Sequence, residues 1–188
     1  MTTRIEKDYT FNAAVYFGDK LILNNYDLIL SMVVETDSMH EQNIAMERLD
    51  YFLEYVFDSC ILIESKNIEV VDLYQKAKLK LCILPEEPYD QIVGMILLLK
   101  LNSILEGRLI ITDLVLSSKL SDHVRFNVVA EVAEDIFPGD YWYNNNTCNL
   151  FDLVKPTAKK GKIVKLFNDD WAGVGLSWKE AKNNTQNV

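Results

Sequence analysis

The stretch of sequence that decides the fold begins at Pro88, ends at Gly107 and reads PYDQIVGMILLLKLNSILEG. Pro88 suits the first turn of a helix, and Gly107 suits the left-handed residue that often follows the last turn. The sequence is apolar nearly all round between Ile92 and Leu101. It therefore predicts a helix over about 89–106 that lies buried at the centre of the core.

The first 35 residues have the pattern of paired strands. Residues 9–17 are rich in β-branched and aromatic side chains and end at a Gly-Asp turn signal. Residues 27–35 form a second run rich in Leu, Ile and Val, and the Asn24-Asn25 pair before it indicates another turn. Short polar connections of this kind predict an antiparallel start to the sheet.

A long helix is predicted after Asp37 or Ser38, either of which can cap it. Glu41 completes a Ser-x-x-Glu capping box with Ser38. Apolar residues then recur at spacings of three and four, which places them on one face of the helix. They are Ala45, Leu49, Phe52, Leu53, Val56, Cys60 and Ile63. At the far end, residues 61–64 could instead form a short strand.

Further elements follow from the same patterns. They are a helix over 67–77, strands over 78–84, 108–117 and 122–129, an irregular segment over 135–152 and an edge strand over 163–167. A continuing helix is the alternative for the segment 78–84. This order predicts an α+β fold, with a mainly antiparallel or mixed sheet of about five strands and three helices packed mostly on one face. We expect one domain over residues 1–180 and a frayed tail over 181–188.

The composition restricts the function classes. Asp and Glu outnumber Lys and Arg by 28 to 19, whereas a general nucleic-acid binder needs the opposite balance to neutralise phosphates. Three cysteines without a Cys-x-x-Cys pair argue against a disulfide framework and predict a cytoplasmic protein. The longest apolar run, residues 92–99, is far shorter than the roughly 20 residues that span a bilayer, so we expect no membrane contact.

No catalytic signature is recognisable, so we predict no catalytic residue and no cofactor. His40-Glu41 begins like a zinc-protease motif, but Ile44 occupies the position of the second histidine. The triad residue types at 121–123 are adjacent in sequence, and neighbours on a strand cannot face one another.

A carboxylate cluster surrounds the Phe-Pro-Gly sequence at 137–139. Glu134, Asp135 and Asp140 are the weak candidates for a divalent cation, which prefers oxygen ligands. With or without a metal, they could serve a small-molecule enzyme near His123. An acidic run that is only solvated is the alternative.

A lysine-rich segment is the clearest local charge signal. It holds five of the 19 basic residues within eleven positions, namely Lys155, Lys159, Lys160, Lys162 and Lys165. Without these five charges, the net charge of −9 becomes about −14 for the rest of the chain. Lys159, Lys160 and Lys162 are candidates for an anion contact. The alternative is a solvated edge strand whose lysines discourage aggregation.

Three consecutive aromatic residues occur in an apparent loop. Because consecutive residues cannot all face one core, we expect at least one of them at the surface. The candidate partner-binding residues are Tyr141, Trp142, Tyr143, Asn144 and Trp171. Tyrosine and tryptophan are favoured interface anchors, and the asparagines would add hydrogen bonds. The alternative is that the loop folds back on the sheet as a lid.

Two blocks of the predicted central helix, Pro88–Met95 and Lys100–Arg108, resemble small uncharacterised proteins of large tailed bacteriophages. The resemblance covers about a tenth of the chain and includes no diagnostic chemical motif. It implies an accessory phage protein in the host cytoplasm, and it supplies no activity and no catalytic residue.

The sequence favours a non-enzymatic binding or assembly protein that acts through contacts with a protein partner or with itself. One alternative is a small-molecule enzyme that uses the carboxylate cluster. The other is an acidic nucleic-acid mimic that binds a basic host protein, for which the excess of carboxylates is the supporting observation.

Overall fold

The structure is a computed structural model that describes residues 3–148, 150 and 171–178. A long hairpin lies at the centre of its sheet. Strands β1 (Arg4–Phe17) and β2 (Lys20–Val34) pair antiparallel along their whole length. Gly18 and Asp19 connect them with positive φ angles, as a tight two-residue turn requires. The predicted turn at Asn24-Asn25 is wrong, because β2 runs through both residues without interruption.

The hairpin is extended on both sides into a six-stranded mixed sheet with the order β4-β3-β1-β2-β5-β6. Strand β3 (Cys60–Glu64) pairs parallel to β1, and β4 (Leu81–Leu84) pairs parallel to β3. On the other side, β5 (Leu109–Ser118) pairs antiparallel to β2, and β6 (Arg125–Val129) to β5. The predicted α+β fold with a mixed sheet is confirmed, with six strands where about five were expected.

Helix α1 (Met39–Tyr51) begins after the predicted N-cap residue Ser38, whose own backbone N–H donates to the hydroxyl of Thr36 and not to Glu41. The hydroxyl of Ser38 accepts a hydrogen bond from the backbone N–H of Glu41 at 3.3 Å. The helix continues as a π-helix over Phe52–Phe57 and does not reach Cys60 or Ile63. Ser59, with a positive φ, ends it, and the chain enters β3. The alternative of a short strand over 61–64 is therefore confirmed.

Helix α3 (Asp90–Leu105) is the buried central helix that its sequence predicts. Every residue from Val93 to Leu101 is buried. Gly94 permits this close packing against the sheet, because a Cβ atom there would lie 3.1 Å from Cγ2 of Val128. The chain leaves the helix through Glu106 and Gly107, both with positive φ.

The helices are unequally divided between the two faces of the sheet. Helices α1, α3 and α4 (Ala130–Ile136) cover one face and enclose the main core. Helix α2 (Ile68–Lys76) packs on the other face over β3 and β4, around Ile63 and Val71. This agrees with helices packed mostly on one face.

Two of the predicted segments lie outside the described residues, and the segment predicted to be irregular is shorter than expected. The edge strand over 163–167 and the tail over 181–188 fall outside the described part of the chain. Helix α4 begins before the segment predicted to be irregular and extends into it. Among the described residues, no helix combines the length and the apolar character needed to cross a bilayer.

Candidate functional site

An open cleft lies between α3, α4 and the segment that follows α4, with a volume of about 420 Å³. Its lining residues are Leu99, Asn102, Ser103, Glu134, Phe137, Pro138, Gly139 and Asn144. The cleft thus brings together two residues that the sequence singled out for different reasons, Glu134 as a carboxylate and Asn144 as part of a partner surface.

The amide and hydroxyl side chains of the cleft bond to backbone atoms. The Asn102 amide donates to the carbonyl of Ile111 at 3.1 Å and accepts from its N–H at 2.8 Å. The Ser103 hydroxyl donates to the Tyr143 carbonyl at 3.2 Å. The Asn144 amide donates to the Phe137 carbonyl at 3.3 Å. These groups position the chain around the cleft, and a ligand would have to compete for them.

A buried lysine holds the aromatic segment against α3. The Nζ atom of Lys100 donates to the carbonyl oxygens of Trp142 and Asn145, each at 2.9 Å, and to Oδ1 of Asn145 at 3.1 Å. It also lies 5.8 Å from the centroid of the Trp142 ring. An ammonium group is tolerated in a core only when its donors are satisfied, as they are here. Lys100 therefore fixes the path of residues 142–145.

The structure buries two of the three aromatic side chains that the sequence proposes as a partner surface. Trp142 is 3% exposed and Tyr143 is 2% exposed, and the indole N–H of Trp142 donates to the Ile83 carbonyl at 2.9 Å. Asn144 is half-buried. Tyr141, at 49% exposure, is the aromatic residue of the segment that faces solvent. The lid alternative describes Trp142 and Tyr143, because both side chains are buried and the Trp142 indole N–H and the Tyr143 carbonyl find partners inside the fold.

Exposed apolar side chains continue from Tyr141 along α4. The Tyr141 ring stacks on that of Tyr143 at 5.3 Å, and Tyr143 contacts Phe137 at the end of the helix. Val132 is 52% exposed and Ile136 is 50% exposed. We define the α4 surface as the exposed residues Val129, Glu131, Val132, Glu134, Asp135, Ile136, Asp140 and Tyr141.

The carboxylates of the α4 surface do not converge. Glu134 lines the cleft, whereas Asp135 and Asp140 do not. No group of three or more His, Cys, Asp or Glu side chains within the described residues is arranged to hold a metal ion. His123 lies exposed between β5 and β6 and does not line the cleft. The weak metal candidates Glu134, Asp135 and Asp140 are therefore separate surface carboxylates in this structure.

A buried arginine on α1, which sequence reasoning missed, anchors the segment 171–178. Nε of Arg48 donates to the Leu176 carbonyl at 2.9 Å, and Nη1 lies 3.5 Å from the carboxylate of Glu106. Burial lowers the pKa of Arg48 to about 10, and the Glu106 carboxylate opposes part of that decrease. The guanidinium remains charged at neutral pH, because the lowered pKa is still far above 7.

Trp171, another of the candidate partner-binding residues, is buried and packs on this guanidinium. The guanidinium carbon of Arg48 lies 4.6 Å from the Trp171 ring centroid and 3.7 Å from that of Trp178. Such cation–π contacts stabilise a buried charge. For Lys100, the available signal was a single charge inside an apolar run. For Arg48, it was a position on the apolar face of the helix, three residues after Ala45 and four before Phe52.

The anion-contact candidates Lys159, Lys160 and Lys162 lie outside the described residues. That prediction stays a prediction.

Comparisons with known proteins give only weak likenesses. No protein-family model and no curated protein matches the chain. An uncharacterised protein of Wolinella succinogenes superposes with a TM-score of 0.47 at 12% identity, over 69% of this chain and 98% of that one. A catalytic-residue variant of 6-pyruvoyltetrahydropterin synthase from Plasmodium vivax gives a TM-score of 0.43 at 12% identity, over 68% and 97% of the two chains. Likenesses this weak transfer no activity to this chain.

Proposed function

We propose that this protein is a non-enzymatic binding or assembly protein and that the α4 surface contacts its protein partner. The observation that carries the proposal is a group of solvent-exposed apolar side chains, formed by Val132 and Ile136 on α4 and by Val129 directly before the helix. Burial of such side chains against a partner removes apolar area from water, which is the main driving force of association.

The spacing of this group supports an interface more than scattered exposure would. Val132 and Ile136 are four positions apart, so they lie on one flank of the helix, and Val129 is the extended residue that precedes its first turn. Single exposed apolar residues are normal on any protein surface. A pair at helical spacing, with the exposed Tyr141 beyond the end of the helix, has the composition of the apolar centre of an interface.

A small-molecule enzyme is the second candidate, and the cleft is the observation that favours it. Its side chains Asn102, Ser103 and Asn144 already bond to backbone atoms, which leaves Glu134 as its carboxylate. Thermal unfolding with and without Mg²⁺, Mn²⁺ and Ca²⁺ tests this candidate, because an ion that binds the folded state raises the unfolding temperature. An ion-dependent increase that Glu134→Gln abolishes would favour the enzyme.

Site-specific photo-crosslinking tests the binding function. A photoreactive phenylalanine derivative replaces Tyr141 in the α4 surface, or Tyr55 as the matched control, in cells that express the protein. Tyr55 is 68% exposed and its ring stacks on a neighbouring tyrosine, as that of Tyr141 does. We expect a crosslinked protein adduct from position 141 and none from position 55. Identical adducts from both positions, or none from 141 in a folded protein, would contradict the proposal.

The proposal also includes a cytoplasmic location and an accessory role in a phage-infected cell. Both rest on the sequence: the odd number of cysteines, and the resemblance of residues 88–95 and 100–108 to phage proteins.

A further inference from the structure

We infer that the occupant of the α4 surface is a basic amphipathic segment of another protein, which carries Lys or Arg beside a row of apolar residues. This inference rests on the proposed function and adds the chemistry of the partner. Two features of the surface support it together, namely its exposed apolar side chains and carboxylates that form no ion pair with the basic side chains of the described residues.

The carboxylates of the α4 surface lack ion pairs, unlike several others in the described residues. Asp50 pairs with Lys7, Glu41 with Arg108, and Lys66 with two glutamates. The four acids of the α4 surface are Glu131, Glu134, Asp135 and Asp140, and none of them pairs with a basic side chain of the described part of the chain. The sequence holds no Lys or Arg between Arg125 and Lys155. The surface therefore presents a local negative potential that a basic partner neutralises.

A second copy of this chain fits the surface poorly. A two-fold symmetric contact places the same patch of both copies face to face. It would bring the four carboxylates of each copy together at one interface. Because like charges at an interface cost free energy, the charge that attracts a basic segment opposes self-association here. The same carboxylates repel partners that carry phosphate groups.

The size of the surface sets the size of the segment. Helix α4 has seven residues, which corresponds to about 10 Å of helix. Two turns of a partner helix cover this length, with apolar residues three or four positions apart against Val132 and Ile136. Its basic residues then lie beside Glu131 and Asp135. Because all of these charges are exposed, we expect binding that weakens as salt concentration rises.

A synthetic peptide tests the inference directly. The probe is a fluorescently labelled amphipathic peptide of about 14 residues, with Leu at helical spacing and Lys elsewhere, and its counterpart carries Glu in place of Lys. Binding to the full chain is measured by fluorescence anisotropy at about 50 mM and about 300 mM salt. We expect the lysine peptide to bind, more tightly at low salt, and the glutamate peptide not to bind.

Variants of the α4 surface are compared with matched variants of α2. Val132→Ser with Ile136→Ser should weaken binding about tenfold, or about 1.4 kcal/mol. Glu131→Gln with Asp135→Asn should weaken it at low salt and reduce its salt dependence. On α2, Ile68, Glu69, Asp72 and Leu73 are also exposed. The matched double substitutions on α2 should change the affinity for the peptide by less than about twofold. They are Ile68→Ser with Leu73→Ser, and Glu69→Gln with Asp72→Asn.

Three results would overturn the inference. Equal losses from the α2 and α4 variants would mean general attraction to an acidic protein. A dimer in sedimentation that Val132→Ser with Ile136→Ser dissociates would make a second copy the occupant. Tighter peptide binding at about 300 mM salt, where general charge attraction is screened, after Lys159, Lys160 and Lys162 are changed to Gln would make the chain's own lysine segment the occupant.

The proposed binding function and the proposed basic partner can be refuted independently. If position 141 crosslinks to a protein while the lysine peptide does not bind, the binding function stands and the basic partner is refuted. If neither experiment gives a signal with the folded protein, both are refuted.

Discussion

The Nζ atom of Lys100 lies 2.9 Å from the carbonyl oxygen of Trp142, in a part of the core where both side chains are almost completely buried. This bond joins the central helix to a segment 42 positions further along the chain. It explains why three consecutive aromatic residues do not form an exposed surface, since a buried ammonium requires the backbone oxygens of 142 and 145 as acceptors.

Lys100→Met should destabilise the protein strongly. Methionine keeps most of the apolar stem, but it leaves the buried carbonyl of Trp142 and the half-buried carbonyl of Asn145 without this donor. We expect a loss of about 2–4 kcal/mol in the free energy of unfolding, because hydrogen bonds to charged groups are strong and unsatisfied buried groups are costly. Urea unfolding measures it. Lys119→Met, at an exposed position, should change stability by less than about 0.5 kcal/mol. Equal effects of the two substitutions would contradict the role of Lys100.

Trp142 and Tyr141 should differ in their contributions to stability, although they are adjacent. Trp142→Ala removes a buried indole and should cost about 3–5 kcal/mol. Tyr141→Ala removes a half-exposed ring and should cost less than about 1 kcal/mol. Thermal and urea unfolding compare the two. A Trp142→Ala protein of nearly normal stability would show that the indole is not a core residue.

Tyr26→Phe should reduce the loss of stability at alkaline pH. Burial raises the pKa of Tyr26 above its ordinary value, whereas the phenol of the unfolded chain ionises near pH 10. The unfolded state therefore loses this proton first, and the contribution of Tyr26, fully present below about pH 10, is lost as the pH rises further. The substitution should reduce the slope of unfolding free energy against pH by up to about 1.4 kcal/mol per unit above pH 10. Urea unfolding at pH values from about 8 to 11 measures the slope.

Tyr9→Phe is a second variant with which Tyr26→Phe can be compared. Burial, followed by its hydrogen bond to Asp50, also raises the pKa of Tyr9, so this substitution should likewise reduce the alkaline slope. At pH 7 the two variants should differ. The Tyr9 hydroxyl donates to Asp50 at 2.7 Å, and its loss should cost about 1 kcal/mol. The Tyr26 hydroxyl is buried without a well-formed hydrogen bond, although the nearby Asn24 amide opposes part of its pKa increase. Removal of the Tyr26 hydroxyl should therefore leave the free energy of unfolding at pH 7 almost unchanged.

Local sequence signals predicted the elements that short-range chemistry controls. The Gly18-Asp19 turn, the Ser38 N-cap and the apolar run of α3 each lie within a few residues of the structure that they specify. Asn24 shows the limit of this reasoning. Its side-chain oxygen accepts from the backbone N–H of Leu120, 96 positions away, so an apparent turn residue is a buried residue of a continuous strand.

The candidate site was less predictable, because its geometry depends on contacts between distant parts of the chain. Glu134 and Asn144 were both singled out, but nothing local shows that they line one cleft with α3. The burial of Trp142 depends on Lys100 and Ile83, and that of Trp171 accompanies Arg48. Helix α4 was missed because Ala133 is the one residue of its seven that is fully buried, so its apolar pattern does not mark an inward face.

The central position of the β1–β2 hairpin has a consequence for synthesis on the ribosome. The hairpin ends at Val34 and leaves the exit tunnel before either strand that pairs with its two edges. Its edges then present unpaired backbone groups until β3 and, later, β5 are made. The nascent chain is thus exposed to strand pairing with other polypeptides during the interval in which residues 35–118 are translated.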